Sequence, residues 1–428
     1  MDCMRIKGGK PLKGKVRTQG AKNAALPVMA SCLLLREQRM VLDNVPSLQD
    51  VETMIALLEA LGVSTRREGS RVFFDVPKEI SWEAPESLVR MMRASSLVLG
   101  PLLARCGRAV LPLPGGCSIG SRPIDLHLKG LIQMGAKVEI RNGFVYAQAE
   151  QLWGRRIYLD FPSVGATENL MMAAAFAKGE TIVENTAREP EIENLAETLR
   201  AMGVQIDAEG TGCIRVRSSA ELQNCAGRVI PDRIEACTYL LAGVMTGGQV
   251  TVEDVAPQHI DALLAKLEEA GASFSVEKDA ATGEKSVTVY PVKRLKPLSV
   301  KTMPFPGFPT DLQPQMAAAL TLSGGVSLVE ESVFQARFLY AAELNRMGAD
   351  IEIKGDTAVI KGVEKLGGAS VKATDLRAGA ALILAGLAAE NETRVENMEH
   401  VLRGYESIDA KLRTLGADVI FEAGAGER

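Results

Sequence analysis

The stretch LIQMGAKVEI (Leu131–Ile140) joins an amphipathic helical pattern to an alternating strand pattern through one glycine, Gly135. The same arrangement occurs six times in the 428-residue chain, at intervals of about 70 residues, with the glycines Gly62, Gly135, Gly203, Gly271, Gly348 and Gly416. Glycine here predicts the end of a helix, because it readily adopts the positive φ found at helix C-termini. Repeats of this length exceed those of ordinary solenoids and favour two domains of three repeats each.

A second helix precedes each of these arrangements, and it is rich in alanine and leucine. ATENLMMAAAFAKG (Ala166–Gly179) is an example whose nearly apolar surface predicts a helix buried on most sides. Short alternating segments such as QVTVED (Gln249–Asp254) predict a strand between the two helices. We therefore predict an α/β fold, with residues 21–230 as the N-terminal domain and residues 1–20 plus 231–428 as the C-terminal domain.

Composition excludes several classes of protein. A net charge of -4, few aromatic residues and no long basic run argue against a nucleic-acid partner. The chain has no apolar stretch long enough to span a membrane, and its first residues lack the apolar core of a signal peptide. Seven cysteines without a C-x-x-C pair and three scattered histidines argue against a disulfide framework and against a metal site. We expect a cytoplasmic protein.

Polar residues collect at the predicted starts of the apolar helices, where free N–H groups and the helix dipole favour anions. Capping is the simpler interpretation for Asp311, Asp375 and Thr167 taken singly. Cations at a helix start oppose the dipole, so they indicate an anionic ligand that compensates for them. The residues found at these starts are Lys22, Asn23, Arg93, Ser163, Gly165, Thr167, Glu235, Asp311, Asp375 and Arg377.

A single cysteine, Cys117, lies in the glycine-rich stretch LPGGCSIGSRPIDLH (Leu113–His127). A lone cysteine is usually a small buried hydrophobic residue. Here its neighbours are glycines, serines and Arg122 rather than an apolar helix face, and a nearby cation lowers a thiol's pKa. The stretch therefore favours a reactive thiol, whereas the sequence leaves the role of His127 open.

Further motifs follow one another along essentially the whole chain: GAKNAALP (Gly20–Pro27), MRAS (Met92–Ser95), PSVGATENLMMAAA (Pro162–Ala175), FPTDLQ (Phe308–Gln313), ATDLRA (Ala373–Ala378) and RGYE (Arg403–Glu406). Together with the cysteine stretch, these motifs resemble the UDP-N-acetylglucosamine 1-carboxyvinyltransferases, a branch of the EPSP synthase family. The cysteine stretch and FPTDLQ are specific to this branch. The sister branch that makes 5-enolpyruvylshikimate 3-phosphate has a GDKSxSxR motif where this chain has GAKNAALP.

The resemblance implies two inside-out α/β barrels of three repeats each, with the active site in the cleft between the domains. It implies transfer of the enolpyruvyl group of phosphoenolpyruvate to the 3′-hydroxyl of UDP-N-acetylglucosamine, with release of phosphate. The reaction would proceed by addition and elimination through a tetrahedral ketal, without a cofactor, as the first committed step of peptidoglycan synthesis. The oligomeric state stays open, and a monomer is compatible with the sequence.

The resemblance also assigns roles to individual residues. Lys22, Arg122 and Arg403 would hold phosphoenolpyruvate, with Arg93 and Arg377 nearby. Cys117 would act as general acid or assist product release, and would be the atom alkylated by fosfomycin. Asp311 would be the base at the 3′-hydroxyl, and Lys22 and Arg403 join these two as catalytic residues. The remaining substrate-binding residues would be Asn23, Pro123, Ile124, Asp125, Leu126, Ser163, Val164, Gly165, Val333 and Asp375.

Two departures from the family pattern keep alternatives open. Gln335 and Ala336 stand where an acidic or amide pair is common, and Leu402 stands where the family often has an aspartate beside Arg403. A divergent paralogue with reduced or regulated activity therefore remains an alternative to the active transferase. So do a non-catalytic binder of the nucleotide-sugar and a transferase that acts on another acceptor.

Overall fold

The computed structural model describes residues 2–113, 124–208, 212–218, 221–334 and 336–424. These residues form two compact units. The first unit comprises the described residues between 20 and 230, and the second comprises residues 2–19 together with the described residues from 231 to 424.

The described residues contain fourteen α-helices. Inner helices, which are almost wholly buried, come from the alanine- and leucine-rich segments: α1, α4 and α6 in the first unit, and α8, α10 and α12 in the second. The helices, in chain order, are α1 (Lys22–Ser31), α2 (Gln49–Ala60), α3 (Glu86–Met91), α4 (Leu99–Cys106), α5 (Asp125–Gln133), α6 (Val164–Ala174), α7 (Pro190–Ala201), α8 (Arg233–Met245), α9 (Asp261–Glu269), α10 (Gln313–Leu320), α11 (Tyr340–Arg346), α12 (Leu376–Ala388), α13 (Glu399–Leu402) and α14 (Ile408–Thr414).

The six glycines of the repeat end helices as predicted. Each follows an amphipathic helix (α2, α5, α7, α9, α11 or α14), and each has a positive φ, between 83° at Gly271 and 107° at Gly62. A side chain with a Cβ is strained at such a φ, so glycine lets the chain turn from helix to strand. The periodicity therefore predicted both the helix ends and the number of repeats.

Strands complete each repeat, and the described part of the chain contains twenty-three of them. They are β1 (Cys3–Lys7), β2 (Lys13–Arg17), β3 (Gln38–Asp43), β4 (Ser64–Glu68), β5 (Arg71–Val76), β6 (Arg108–Pro112), β7 (Lys137–Arg141), β8 (Phe144–Gln148), β9 (Arg156–Tyr158), β10 (Glu180–Glu184), β11 (Gln205–Ala208), β12 (Cys213–Arg217), β13 (Cys225–Arg228), β14 (Gln249–Glu253), β15 (Phe274–Lys278), β16 (Lys285–Val289), β17 (Ser299–Lys301), β18 (Val326–Glu330), β19 (Asp350–Lys354), β20 (Thr357–Lys361), β21 (Ser370–Lys372), β22 (Glu392–Glu396) and β23 (Asp418–Glu422).

The strands form three small sheets in each unit, as far as the described residues show. The first unit contains the orders β13-β3-β5-β4, β6-β8-β7 and β11-β12-β10-β9, and the second contains β15-β16-β14-β2, β17-β18-β20-β19 and β21-β22-β1-β23. In each four-stranded sheet one edge strand (β13, β9, β2, β17 or β21) pairs parallel with its neighbour, and the other pairings are antiparallel. In the last sheet, β1 lies between β22 and β23. Strands from separate segments of the chain thus pair within one sheet, and these pairings link the repeats.

The first twenty residues supply two strands to the second unit. β1 lies between β22 and β23 and pairs antiparallel with both, so Ile6 faces Thr393 on one side and Val419 on the other. β2 pairs parallel with β14. The N-terminal segment therefore completes the sheet of the last repeat and extends the sheet of the fourth.

Two separate hydrophobic cores lie around the inner helices. One draws its residues from positions 21 to 229, and the other from positions 4 to 16 and 234 to 419. In α12 every residue from Arg377 to Leu387 is buried, and α8, α10 and α12 contact one another. Helices at the centre and sheets around them confirm the predicted α/β class with inside-out barrels.

One predicted helix starts differently. The apolar helix expected from Arg93 begins as a 3₁₀ helix, Arg93–Val98, and becomes α-helical only at Leu99. Pro101 has no N–H to donate to the carbonyl of Leu97, which removes an α-helical hydrogen bond at this point. Among the described residues no helix is both long and apolar enough to cross a membrane.

We predict that Ile6→Ala destabilises the protein by about 2–5 kcal/mol, because it leaves a cavity in the core of the second unit. Ile6 is fully buried, whereas Lys7 in the same strand is exposed. The matched variant Lys7→Ala should change stability by less than about 0.5 kcal/mol. Urea unfolding followed by circular dichroism measures the free energy of unfolding of both variants. An equal loss of stability in Ile6→Ala and Lys7→Ala would contradict a structural role for β1.

Candidate active site

Asp311 lies in a 3₁₀ helix, Thr310–Leu312, immediately before α10. Its side chain does not cap α10, although the sequence made capping the simpler interpretation. Arg337 donates to Oδ1 at 2.9 Å, and Arg377 donates to Oδ2 at 3.0 Å. The two guanidinium side chains are 2% and 4% exposed, whereas the carboxylate is 27% exposed. Both carboxylate oxygens are thus bound by buried cations, while part of the carboxylate stays accessible.

The start of α12 places Arg377 beside this carboxylate. Asp375 caps the helix and accepts hydrogen bonds from the backbone N–H groups of Arg377 and Ala378, at 2.9 and 3.1 Å. Burial is the largest single influence and lowers the pKa of Arg377, but the charges of Asp311, Tyr405 and Asp232 and the hydrogen bond to Asp311 together raise it on balance. The cation that opposes the dipole of α12 is therefore compensated by a protein carboxylate.

Arg377 is also hydrogen-bonded to a buried network of polar side chains. Its Nη1 donates to the hydroxyl of Tyr405 at 3.4 Å, and that hydroxyl lies 2.9 Å from Thr238 Oγ1 and 3.2 Å from Gln315 Nε2. Thr238 and Gln315 come from α8 and α10, so the network joins the three inner helices of the second unit. Tyr405 is completely buried, so these hydrogen bonds satisfy a hydroxyl that water does not reach.

Val333, the residue expected beside the sugar, is held in the same unit by Glu331. One oxygen of this buried carboxylate accepts the backbone N–H of Val333 at 2.8 Å and the hydroxyl of Thr302 at 2.9 Å. The other oxygen accepts the hydroxyl of Thr310, the neighbour of Asp311, at 2.9 Å. Glu331 therefore fixes the segment of Val333 relative to that of Asp311.

In the first unit, Lys22 is the first residue of α1 and forms an ion pair with Asp50 of α2, Nζ to Oδ2 3.3 Å. The two side chains are only 13% and 8% exposed. The ion pair gives this largely buried lysine a carboxylate partner and a defined position. Asn23 follows Lys22 on α1 and is exposed.

A second group of predicted residues meets at the start of α6. Ser163 caps this helix and accepts the N–H of Ala166 at 3.3 Å, while Val164 and Gly165 form its first turn. A Cβ on Gly165 would lie 3.1 Å from the His127 ring, so the glycine lets α5 pack closely against α6. This leaves a helix N-terminus with half-buried residues, the kind of site that binds phosphate groups.

His127 is buried and neutral. Asn169 Oδ1 accepts the N–H of Gly100 at 2.7 Å, so its Nδ2 donates to the carbonyl of Ser96 and to His127 Nδ1 at 2.9 Å. The ring proton is then on Nε2. Burial lowers the pKa of His127 to about 4, Asp125 opposes this shift and Arg93 adds to it.

The structure thus places the predicted residues in two groups. The first unit carries Lys22, Asn23, Arg93, Ile124, Asp125, Leu126, Ser163, Val164 and Gly165, and the second carries Asp311, Val333, Asp375, Arg377 and Arg403. Cys117, Arg122, Pro123 and Gln335 lie outside the described residues. Among those described, no group of three or more His, Cys, Asp or Glu side chains could hold a metal ion.

Sequence reasoning missed the partners of these residues. Asp50 looks like an ordinary acidic residue in the first turn of a helix, and nothing in the sequence connects it with Lys22. Arg337 follows the VFQA segment and could have been noticed as a second cation near Asp311. Glu331 carries no signal in the sequence, and Tyr405 appears there only within the RGYE motif, because their roles come from contacts between distant segments.

Comparisons with known proteins agree with these features. The profile of the family described as EPSP synthase (3-phosphoshikimate 1-carboxyvinyltransferase) matches residues 6–412. The chain is 52% identical to UDP-N-acetylglucosamine 1-carboxyvinyltransferase 2 of Carboxydothermus hydrogenoformans, over 98% of this chain and 99% of that protein. It is 50% identical to UDP-N-acetylglucosamine 1-carboxyvinyltransferase of Geotalea uraniireducens, with the same coverage.

A solved structure is similar in fold. The enolpyruvyl transferase NikO from Streptomyces tendae superposes with a TM-score of 0.87 at 24% sequence identity, and the match covers 99% of both chains. At this level of identity the likeness concerns the fold alone. It confirms the fold predicted from the six repeats.

We predict that His127 makes stability depend on pH. Its pKa in the folded protein, about 4, lies below the ordinary 6.5, so the unfolded chain binds a proton that the folded protein excludes. The free energy of unfolding should therefore fall as pH drops from 6.5 to 4, by on the order of 3 kcal/mol at about 1.4 kcal/mol per pKa unit. Urea unfolding across this range should show a weaker decline for His127→Gln; parallel curves would contradict the buried neutral histidine.

Proposed function

Because the chain belongs to the EPSP synthase family, we propose that it transfers the enolpyruvyl group of phosphoenolpyruvate to the 3′-hydroxyl of UDP-N-acetylglucosamine. The observation that carries this proposal is the match, along nearly the whole chain, to relatives named for that reaction. The absence of the GDKSxSxR motif of the sister branch, with GAKNAALP in its place, supports the same acceptor. The reaction releases inorganic phosphate and supplies a precursor of peptidoglycan.

The chemistry has two steps that balance without a cofactor. In the addition, the 3′-oxygen bonds to C2 of phosphoenolpyruvate, its proton goes to a base, and the methylene carbon takes up a proton to become a methyl group. In the elimination, that methyl group loses a proton while the C2–O bond to phosphate breaks. The product is the enolpyruvyl ether, and the electrons of the broken bond leave with phosphate.

Asp311 is the proposed base. Its two guanidinium partners each bind one carboxylate oxygen, which fixes the direction of its accessible surface. A weak base suffices when proton removal accompanies bond formation, because the hydroxyl becomes strongly acidic as its oxygen attacks the electrophilic carbon. We assign Arg337 and Arg377 to this orientation of Asp311.

The proposed anion site uses Lys22, Arg122 and Arg403 to hold the phosphate and carboxylate of phosphoenolpyruvate, with Arg93 nearby. Arginine forks bind such groups through two parallel hydrogen bonds. Asp50 would keep Lys22 in position while leaving part of its charge available. The released phosphate and the substrate carboxylate are both anions, so these cations stabilise charge throughout the reaction.

The nucleotide-sugar is assigned to the start of α6 and its surroundings. Ser163, Val164 and Gly165 present a helix N-terminus, where N–H groups and the dipole favour the diphosphate. Asn23, Ile124, Asp125 and Leu126 would contact the same ligand, as would Pro123, and Val333 would lie beside the sugar. Asp375, given as a substrate residue by the resemblance, caps α12 here and would act by positioning Arg377.

Cys117 is proposed as the thiol that protonates carbon or assists product release, and as the site of alkylation by fosfomycin. The cytoplasm is the proposed location, since phosphoenolpyruvate and nucleotide-sugars are intracellular metabolites. Neither a membrane nor nucleic acid takes part in the proposed reaction.

The reaction is tested by measuring phosphate release from phosphoenolpyruvate by the purified protein, with and without UDP-N-acetylglucosamine. We expect release only when the nucleotide-sugar is present. Binding of the sugar by calorimetry without any release would support a non-catalytic sensor instead. Release with another acceptor and not with UDP-N-acetylglucosamine would identify a transferase of different specificity.

We predict that Asp311→Asn lowers kcat by about 100- to 10,000-fold, the range typical of a general acid or base. The affinity for UDP-N-acetylglucosamine, measured by calorimetry, should change little. Asp350→Asn is the control, because Asp350 forms an exposed ion pair with Lys361 at 3.3 Å and exposed pairs contribute little. A loss of affinity for UDP-N-acetylglucosamine as large as the loss in kcat of Asp311→Asn would contradict the role of Asp311 as base.

A further inference from the structure

Gln19 is a buried glutamine, 6% exposed, at the end of the N-terminal segment of the second unit. Its backbone N–H donates to Glu235 Oε2 at 2.7 Å, and its carbonyl accepts the N–H of Asp232 at 2.9 Å. Its side chain binds the turn Arg403–Glu406: Nε2 donates to the carbonyl of Gly404 at 3.1 Å, and Oε1 accepts the N–H of Glu406 at 2.8 Å. The amide group thus pairs with the turn as a neighbouring strand would.

Glu235, which accepts the backbone N–H of Gln19, is itself held in a fixed position. Glu235 is completely buried in the first turn of α8, and its second oxygen accepts a hydrogen bond from Lys411 Nζ at 2.7 Å. Both carboxylate oxygens are therefore engaged, one by the backbone of Gln19 and one by Lys411. Because α8 is an inner helix, the position of Gln19 is set by the core of the second unit.

The turn is held at two further points. Tyr405 is buried and hydrogen-bonded to Thr238 and Arg377. A Cβ on Gly404 would come within 2.6 Å of the Leu376 side chain, so the glycine permits close contact with the start of α12. Arg403, which precedes Gly404, is half-buried, and its other neighbour, Leu402, has no polar side-chain group to support it.

We propose that Gln19 is a positioning residue that sets the main chain of the Arg403 turn, and through it the Arg403 side chain, for phosphoenolpyruvate. This inference rests on the proposed function, in which Arg403 binds that substrate. An amide is suited to the role, because the carbonyl of Gly404 needs a donor and the N–H of Glu406 needs an acceptor. Without Gln19, ordering of the turn would be completed only on substrate binding, at the expense of affinity.

The test is Gln19→Met, which keeps the length and buried volume of the side chain and removes its donor and acceptor. We expect the KM for phosphoenolpyruvate to rise about tenfold, a loss of about 1.4 kcal/mol, while the KM for UDP-N-acetylglucosamine and kcat change much less. An unchanged KM for phosphoenolpyruvate would overturn the proposal. So would an equal rise in both KM values.

Asn345→Leu is the matched control for general loss of stability. Asn345 makes the same kind of bridge in the same unit, donating to the carbonyl of Ile351 at 2.9 Å and accepting its N–H at 3.0 Å. This variant should lower the melting temperature and leave the KM for phosphoenolpyruvate unchanged. A similar rise in that KM would overturn the specific role of Gln19.

Two further measurements separate the inference from the reaction on which it rests. In an Arg403→Gln background, Gln19→Met should have little further effect on the KM for phosphoenolpyruvate; a full effect there would overturn action through Arg403. Hydrogen exchange at the Glu406 N–H, which needs no turnover, should be faster in Gln19→Met than in the wild type. Faster exchange together with no phosphate release by the wild type would reject the transfer reaction while supporting the contact.

Discussion

The carboxylate of Asp311 determines the arrangement of the second unit's functional residues, because it compensates two guanidinium groups that are almost fully buried. A buried charge without a partner is strongly unfavourable, and breaking such a pair typically costs about 3–5 kcal/mol. Arg337 and Arg377 therefore depend on the Asp311 carboxylate for the negative charge that compensates their burial. Tyr405 connects this cluster to the inner helices, so the Asp311 carboxylate is held by the same contacts that stabilise the fold.

The repeated architecture explains why polar residues lie where they do. Each repeat buries one helix at the centre of its unit, and the side chains along such a helix must be apolar or fully hydrogen-bonded. Several charged groups of these helices lie at the helix starts, as Lys22 does on α1 and Arg377 on α12. The helix N-termini become both the structural ends of the core and the natural place for anionic substrates.

Much of the fold could be predicted from the sequence, because glycine at a positive φ and a 3.6-residue apolar period are local signals. The capping role of Asp375 was equally local. The ion pairs were not, since Lys22 and Asp50 are distant in sequence and either residue alone has a simpler explanation. Cations at the starts of α1 and α12 predict an anionic partner, and the structure supplies a protein carboxylate for each. Such partners follow from tertiary packing, which no single segment encodes.

Enolpyruvyl transfer by addition and elimination is tested most directly by mass spectrometry of the UDP-linked product formed in D2O. The addition step places a solvent deuteron on the methylene carbon, and the elimination step then removes either a proton or a deuteron from the resulting methyl group. The account predicts that a substantial share of the enolpyruvyl product carries deuterium in its vinyl group. Turnover that gives product entirely free of deuterium would contradict it.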